Sequence, residues 1–316
     1  MLPSSFVSGF NRFRRQATLS TVRAALAYGA KLSPERTVTF GRSIGRLAGM
    51  LPPLRERLKT NLRLAGFDPT PDRVDRYFRL LGNWFYSCLS TYNRGFADCG
   101  YADCVRFDET ISNLDRAMAG GRGAVLVSPH AFCHEFAAAA INRRHPVVAL
   151  VRESKNPVRD AIKRRWYEAT GLEVVRRSRK ASMLFDVMDY VRVLQSGKVL
   201  AITPDLPVPA NQGVPVALFG REVSLNPGMI ALSMWSGAPL VFCWPRKWEF
   251  AGSRADTATI YFDEPLAIPM TRDRNGAMRS GMAEWARRFE ECLRRNPEYW
   301  LFWLDKRWTH VWRGAR

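Results

Sequence analysis

Short apolar runs alternate with helix-forming segments through the middle of the chain, and this alternation constrains the fold more than any other feature. The runs have the length and composition of strands that are buried on both faces. They fall within residues 124–127, 145–153, 172–177 and 197–205. Strands and helices that alternate at these spacings predict an α/β fold with a central, mostly parallel sheet flanked by helices.

The same pattern continues with a predicted hairpin, a helix, two strands and a last helix. We place the hairpin at 214–225, the helices at 228–236 and 276–295, and the strands at 240–244 and 257–262. The stretch 226–245 carries no charge, but Gly237-Ala238-Pro239 interrupts it. We therefore expect a helix followed by a strand and not a transmembrane segment.

The first 65 residues are basic and amphipathic, and Pro52-Pro53 divides their second part into two helices. This segment lacks the run of 18 or more apolar residues that a spanning helix needs. Helices lying among lipid headgroups and helices packed on the protein body both fit the pattern. We predict two regions: basic membrane-associating helices at 1–65 and an α/β domain at 66–316.

The charge of the chain is strongly positive. It has 48 basic and 29 acidic residues, a net charge of +19, and 40 of the basic residues are arginines. Such a chain attracts polyanions, and arginine suits phosphate and carboxylate. Nucleic acid, anionic lipid and acidic proteins all qualify as partners. Because no recognition module for nucleic acid is apparent, we expect an anionic membrane surface and no nucleic acid. A non-catalytic protein that binds anionic membranes or nucleic acid is the alternative function.

His130 follows the apolar run 124–127 at the point where a strand gives way to a helix, which is where open α/β sheets bind ligands. Glu135 lies five residues later, about 140° away on an ideal helix, so the two side chains can meet only across a turn. There His130 could act as a general base while Glu135 holds its other ring nitrogen. A substrate hydroxyl could then attack an acyl carbonyl directly.

The pair by itself does not establish this chemistry. With four histidines and 29 acidic residues, roughly 0.4 such pairs are expected by chance. A structural histidine beside an ordinary acidic residue in the first turn of a helix is the alternative interpretation.

The six cysteines are scattered without a Cys-x-x-Cys pair, which is typical of a reducing compartment. Two alternatives to the His130–Glu135 chemistry involve Cys133. It could act as a thiol nucleophile or form a zinc site with His130 and His134. No third ligand stands at a recognisable spacing, so we predict no metal and expect Cys133 to pack as a small apolar residue.

Two aromatic segments also leave alternatives open. The helix pattern at 72–93 predicts core packing or a lining for acyl chains, and the tail at 296–312 predicts a core cover or a membrane-interface segment.

Several segments in order resemble the bacterial lipid A late acyltransferases, which are lauroyl and myristoyl transferases, and their relatives that acylate mannosylated phosphatidylinositol. The resemblance spans most of the chain. It is carried by LRERLKTNLRLAG at 54–66, the His130-x4-Glu135 motif, VRESKNP at 151–157, GKVLAITPD at 197–205, the run at 214–241 and PEYWLFWLDKRW at 297–308.

Two motifs depart from the usual family pattern. His-Phe-Gly-Asn-Trp-Glu is here His130-Ala-Phe-Cys-His-Glu135, and Pro-Asp-Gln is here Pro204-Asp205-Leu206. The histidine and the glutamate of the motif are retained.

The resemblance implies a glycerol-phosphate-acyltransferase-like fold and acyl transfer from an acyl-carrier-protein or coenzyme A thioester to a hydroxyl of a lipid acceptor. The reaction would take place at the cytoplasmic face of the bacterial inner membrane and need no cofactor. In this interpretation His130 removes the hydroxyl proton and Glu135 orients it. Arg152 holds a phosphate or the developing oxyanion, and Asp205 positions a basic partner or the acceptor. For Arg152 and Asp205, a structural ion pair is the alternative.

Overall fold

The computed structural model describes residues 19–98, 104–177, 183–250, 256–268 and 271–314. It contains nine strands within these residues. They are β1 Val105–Phe107, β2 Ala124–Val127, β3 Val147–Arg152, β4 Glu173–Arg177, β5 Val199–Ile202, β6 Val214–Leu218, β7 Arg221–Leu225, β8 Leu240–Glu249 and β9 Thr257–Phe262.

Eleven helices occur in the same described residues. They are α1 at 19–29, α2 Pro34–Met50, α3 Pro52–Leu64, α4 Pro71–Arg94, α5 Ile111–Ala119, α6 His134–Ile141, α7 Pro157–Thr170, α8 Met183–Gln195, α9 Gly228–Ser236, α10 Arg274–Arg295 and α11 Lys306–Trp312. Short 3-10 turns at Pro297–Tyr299 and Leu301–Leu304 join α10 to α11.

Seven of the strands form one sheet in the order β1-β9-β8-β2-β5-β3-β4, and β6 pairs with β7 as a separate hairpin. Every neighbouring pair in the large sheet is parallel except β8 and β9. The predicted α/β class with a mostly parallel sheet is therefore confirmed. Because β2, β5 and β3 are parallel neighbours, their carboxyl ends meet at one edge of the sheet.

The buried strand β2 shows how the sequence forms a core on both faces of the sheet. All four of its residues are buried, and their side chains alternate between two apolar clusters. Val125 and Val127 pack in one cluster, and Ala124 and Leu126 in the other. Alternation of side chains along a strand accounts for this division, and a strand covered on both faces needs no polar position.

Most predicted elements have bounds close to those expected, but two regions differ. The strand predicted at 240–244 continues to Glu249, because its second half pairs with the antiparallel strand β9. The segment 105–119, which forms β1 and α5, was not predicted as a strand and a helix. With only three residues, β1 is too short to show a hydrophobic period.

The N-terminal helices pack against α4. Glycines on one face of α2 let it approach α4 closely, and Arg42 of α2 donates a hydrogen bond to the buried Asp256 carboxylate at 2.9 Å. Asn83 of α4 also donates to the Asp256 carboxylate, and the backbone N–H of Asp256 donates to the hydroxyl oxygen of Tyr86 at 3.0 Å, so both helices are joined to the start of β9. The proposed division at residue 65 stays a prediction, and its first 18 residues lie outside the described part.

Among the described residues, no helix is both long enough and apolar enough to cross a membrane.

We expect Gly45→Ala to destabilise the fold. A Cβ at Gly45 would overlap the carbonyl oxygen of Phe78 and lie 2.7 Å from Gly82 Cα, so α2 and α4 would have to separate. Overpacking of this kind costs about 1–3 kcal/mol, more than the gain of about 1 kcal/mol from alanine in a helix. Urea unfolding measures the difference. Gly120→Ala is the control, since its nearest neighbour would lie 3.7 Å away; equal unfolding free energies for the two variants would contradict the prediction.

Candidate active site

His130 lies in the turn that connects β2 to α6. The turn is fixed by backbone hydrogen bonds from Ala131 N to Pro129 O at 2.6 Å and from His134 N to Ala131 O at 3.2 Å. The side chain of His130 is 18% exposed, so its ring is accessible from the carboxyl edge of the sheet. The ring of Phe302 covers part of it, with ring centroids 4.2 Å apart. The predicted position of His130 at a strand-to-helix turn is confirmed.

Asp205 follows β5, the strand next to β2, and its carboxylate is fully buried beside His130. Its Oδ1 lies 2.6 Å from Nδ1 of His130, and its Oδ2 accepts a hydrogen bond from the His130 backbone N–H at 2.9 Å. A third donor, Nε1 of Trp300, also reaches Oδ2 at 2.7 Å. Both oxygens of this carboxylate are therefore used inside the protein.

The charged form of Asp205 is stabilised despite its burial. Burial by itself raises the pKa of this carboxyl, but attraction to His130 and the hydrogen bonds from His130 and Trp300 outweigh it, so the pKa lies below its ordinary value. A carboxylate accepts hydrogen bonds only, so Nδ1 of His130 carries the proton that faces Asp205. Nε2 is then the nitrogen that is left to accept a proton from a substrate.

The C-terminal tail completes the surroundings of this pair. Leu301 N donates to the carbonyl oxygen of His130 at 2.9 Å, and Trp300 forms an antiparallel bridge with Ala131. Nε1 of Trp308 donates to the backbone carbonyl of Asp205 at 3.1 Å. Four tail tryptophans are at most 1% exposed: Trp300, Trp303, Trp308 and Trp312. Of the two roles considered for the tail, the structure shows the core cover.

Sequence reasoning did not assign Trp300 or Trp308 to the site. The available signal was the density of tryptophans in the last residues, which indicates burial but not which loop they would contact.

Glu135 does not take the position that was expected for it. Glu135 was expected to hold the ring nitrogen of His130 that does not act as the base, but Asp205 holds Nδ1, and no hydrogen bond joins Glu135 to His130 among the described contacts. Glu135 is the second residue of α6, and its charge raises the pKa of Cys88 and Tyr167, after the larger effect of burial in each case. The helix thus turns Glu135 toward α4 and α7, away from Asp205. Its catalytic role stays a prediction.

His134 lies between His130 and Glu135. Its ring centroid is 5.0 Å from that of His130, and its Nε2 is 4.0 Å from Glu135 Oε1. Burial lowers the pKa of His134, and the neighbouring His130 acts in the same direction against the opposing charge of Glu135. A neutral His134 donates Nδ1–H to Ala131 O at 2.7 Å and presents Nε2 as an acceptor toward Glu135. The ring of His134 therefore lies between the carboxylate of Glu135 and the ring of His130.

Arg152 ends β3, at the same edge of the sheet as His130 and Asp205. Its side chain is exposed, and its carbonyl oxygen accepts a hydrogen bond from Lys163 at 2.8 Å. Because β5 lies between β2 and β3, the backbone of β3 is about 10 Å from that of β2. This placement suits an anionic group that extends from the site, and the role of Arg152 as its ligand stays a prediction.

Asp205 was expected to position a basic partner or the acceptor; the structure places its carboxylate against His130, and its role in the reaction stays a prediction. Its carboxylate holds His130 and is shielded from solvent, so it cannot contact a substrate directly.

Cys133 is buried beside the site. Burial raises the pKa of its thiol far above neutral pH, so it stays protonated and is a poor nucleophile. Among the described residues, no group of three or more His, Cys, Asp or Glu side chains is arranged to hold a metal ion.

Fold and site together define a class of protein: an α/β protein that presents a histidine, oriented by a buried carboxylate, at the carboxyl edge of a mostly parallel sheet. Residues 11–310 match the family model for bacterial lipid A biosynthesis acyltransferases. The chain belongs to this family of acyltransferases.

Curated relatives show a second, partial similarity. The phosphatidylinositol mannoside acyltransferases of two Mycobacterium tuberculosis strains, H37Rv and CDC 1551, are each 29% identical to the chain over 147 residues. The match covers 44% of this chain and 45% of each relative. The chain thus spans a little under half the length of the curated relatives that it matches.

Asp205→Asn should remove a pH-dependent part of the stability. A lowered pKa in the folded state means that the carboxylate stabilises the fold above its unfolded pKa, near 3.8, and that this contribution is lost as the pH falls through the lower folded value. At pH 7 the variant should unfold about 3 kcal/mol more easily, as expected when one partner of a buried ion pair is removed. Urea unfolding between neutral and acidic pH should show this difference shrinking below about pH 4.

Asp189→Asn is the control for this experiment, because the Asp189 side chain is 59% exposed and forms an ion pair with Arg192 on the surface. Its effect should be small at every pH. A difference between wild type and Asp205→Asn that does not change with pH would contradict the assigned ionisation.

Proposed function

We propose that this protein is a membrane-peripheral O-acyltransferase that moves a fatty acyl chain from a thioester donor to a hydroxyl group of a lipid acceptor. The observation that carries the proposal is the hydrogen bond between Asp205 and Nδ1 of His130, which leaves Nε2 as a base at an accessible edge of the sheet. Family membership supports acyl transfer as the reaction.

The reaction needs no nucleophile from the protein. Nε2 of His130 accepts the proton of the acceptor hydroxyl while the oxygen attacks the carbonyl carbon of the thioester. The tetrahedral intermediate then collapses, the C–S bond breaks, and the leaving thiolate takes the proton from the imidazolium. The products are the acylated lipid and the free thiol of the carrier.

The two carboxylates have different parts in this mechanism. Asp205 contacts the ring of His130 directly, so it fixes the tautomer and stabilises the imidazolium when it forms. Glu135 acts at longer range through the neutral ring of His134, where its negative charge also favours the imidazolium. The dyad expected from the motif thereby becomes a histidine with one direct and one remote carboxylate.

The donor is an acyl-carrier-protein or coenzyme A thioester, and both are anionic. The net charge of +19 favours their approach, and Arg152, exposed at the same edge, supplies a ligand for a phosphate or for the developing oxyanion. The enzyme needs no cofactor, because the thioester already activates the acyl group.

The acceptor is a phospholipid or glycolipid, such as a lipid A precursor. The name of the family and the name of the mycobacterial relatives both refer to glycosylated lipids, which supports this class of acceptor. The enzyme works at the cytoplasmic face of the inner membrane, where basic residues are attracted to anionic headgroups. The helices in residues 1–65 form the membrane-associating region.

We expect His130→Ala to abolish acyl transfer, since loss of a general base costs about 10²–10⁴-fold in rate. Cells that produce the wild-type protein, cells without it and cells with the variant are compared by mass spectrometry of total lipids. A lipid that is heavier by one acyl group should occur only with the wild type. The mass difference would also identify the acceptor and the chain length.

His145→Ala is the matched control, because His145 precedes β3, at the opposite edge of the sheet from His130, where it pairs with Asp115 at 2.7 Å. It should yield the same acylated lipid as the wild type. An active His130→Ala enzyme would contradict the proposed mechanism.

Asp205→Asn and Glu135→Gln should separate the two carboxylates. With purified protein, acyl-CoA and an extract of total membrane lipids, Asp205→Asn should lower kcat by about 10²-fold or more, because the hydrogen bond to His130 is lost. Glu135→Gln should lower kcat only about tenfold, because its carboxylate acts across a ring. KM for the donor should change little in both variants. A larger loss of kcat from Glu135→Gln than from Asp205→Asn would indicate that Glu135 orients His130.

A further inference from the structure

Three exposed apolar side chains lie within five residues where α2 meets α3. Leu47, Met50 and Leu51 are 57%, 71% and 53% exposed, and Pro52 and Pro53, which follow, are also exposed. We call residues 47–53 the α2–α3 tip. The other large apolar side chains that are exposed in the described residues are dispersed over four helices: Val22, Tyr28, Val158, Met188 and Trp235.

The packing of α2 explains why the tip faces outward. Gly41, Gly45 and Gly49 lie along the face of α2 that contacts α4. On a helix, Leu47 and Met50 fall on the opposite face. Because the inner face is built from small residues, the large apolar residues at the end of α2 do not contribute to the core. Clustered exposure of this kind marks an interaction surface.

The charges around the tip indicate its partner. Between residues 42 and 63 the chain has six basic residues and one acidic residue, Glu56. Three of the basic residues are in ion pairs, and the other three, Arg46, Arg57 and Arg63, form none among the described residues. Arg46, next to Leu47, is exposed. A surface with apolar side chains at its centre and cations around them complements an anionic bilayer, in which headgroups carry the negative charge and acyl chains lie beneath.

The tip is linked to the catalytic turn through α4. Gly49 packs on the ring of Phe78 in α4, and a Cβ there would be 3.1 Å from that ring. Next to Phe78, the ring of Tyr77 lies 5.2 Å from that of Phe132, two residues after His130. Helix α4, about 10 Å thick, therefore lies between the inner face of the tip and the catalytic turn.

We propose that the α2–α3 tip inserts between the headgroups of an anionic bilayer and holds the carboxyl edge of the sheet toward the lipid surface. This inference rests on the proposed function and specifies which surface brings His130 to its acceptor. The hydroxyl that is acylated then lies in the headgroup region, within reach of an enzyme that does not extract the whole lipid.

The test uses the full chain and vesicles of phosphatidylcholine with and without phosphatidylglycerol, with binding measured by co-sedimentation. Replacing Leu47, Met50 and Leu51 together by serine should weaken binding to phosphatidylglycerol vesicles roughly 30-fold or more, since three partly buried apolar side chains are lost. The wild type should bind the vesicles without phosphatidylglycerol more weakly. Met50→Glu, a single change at the most exposed of these positions, should act in the same direction.

The control replaces Met188 and Trp235 by serine. These side chains are 46% and 47% exposed on α8 and α9, so the variant also loses exposed apolar surface, but away from the tip. Its vesicle binding should stay within about twofold of the wild type. Circular dichroism checks that each variant is folded, and Met50→Glu provides the test if the triple variant is not.

Three results would overturn the proposal: wild-type protein that does not bind the vesicles, tip variants that bind as the wild type does, or equal losses in the control. A change of oligomeric state in the tip variants without loss of vesicle binding would assign the surface to a second copy of the chain instead. Binding does not require turnover, so failure here is separate from failure of the His130→Ala experiment. Turnover of substrates dispersed in detergent should be unchanged in the tip variants.

Discussion

The buried carboxylate of Asp205 is the group on which the arrangement of the site depends. A charge removed from water must be compensated by hydrogen bonds, and here the donors come from distant parts of the chain. His130 supplies two of them from the turn after β2, and Trp300 supplies another from the tail. Because an unpaired buried carboxylate would be costly, the two loops and the tail are held in one geometry. The same geometry leaves Nε2 of His130 as the base.

The tail has a structural and a positional role at the same time. Its buried tryptophans close the apolar cluster beneath the site, and two of their indole N–H groups bind the side chain and the backbone of Asp205. Phe302, from the same segment, lies against the ring of His130. Substitutions in the tail should therefore affect the ionisation of the site as well as the stability of the fold.

At the N-terminal end of the chain, small residues and basic residues have separate roles. Glycines allow α2 to lie close to α4, and the ion pair between Arg42 and Asp256 anchors it to the sheet. What remains on the outer face at the end of α2 is apolar and surrounded by cations. The proposed membrane contact and the proposed chemistry are thus joined through α4.

The sequence by itself determined the α/β class, the bounds of β2, β9 and α9, and the place of His130 at a strand end, because local hydrophobic periods and turn residues encode each of these. It did not reveal β1, which is short and held by pairing with a strand more than 150 residues later. It predicted Glu135 as the partner of His130, because the two residues lie close together in the chain. Only the tertiary structure decided that Asp205 holds the ring, since that choice depends on β5 lying next to β2 and on the tail supplying Trp300, and neither contact leaves a local trace in the sequence.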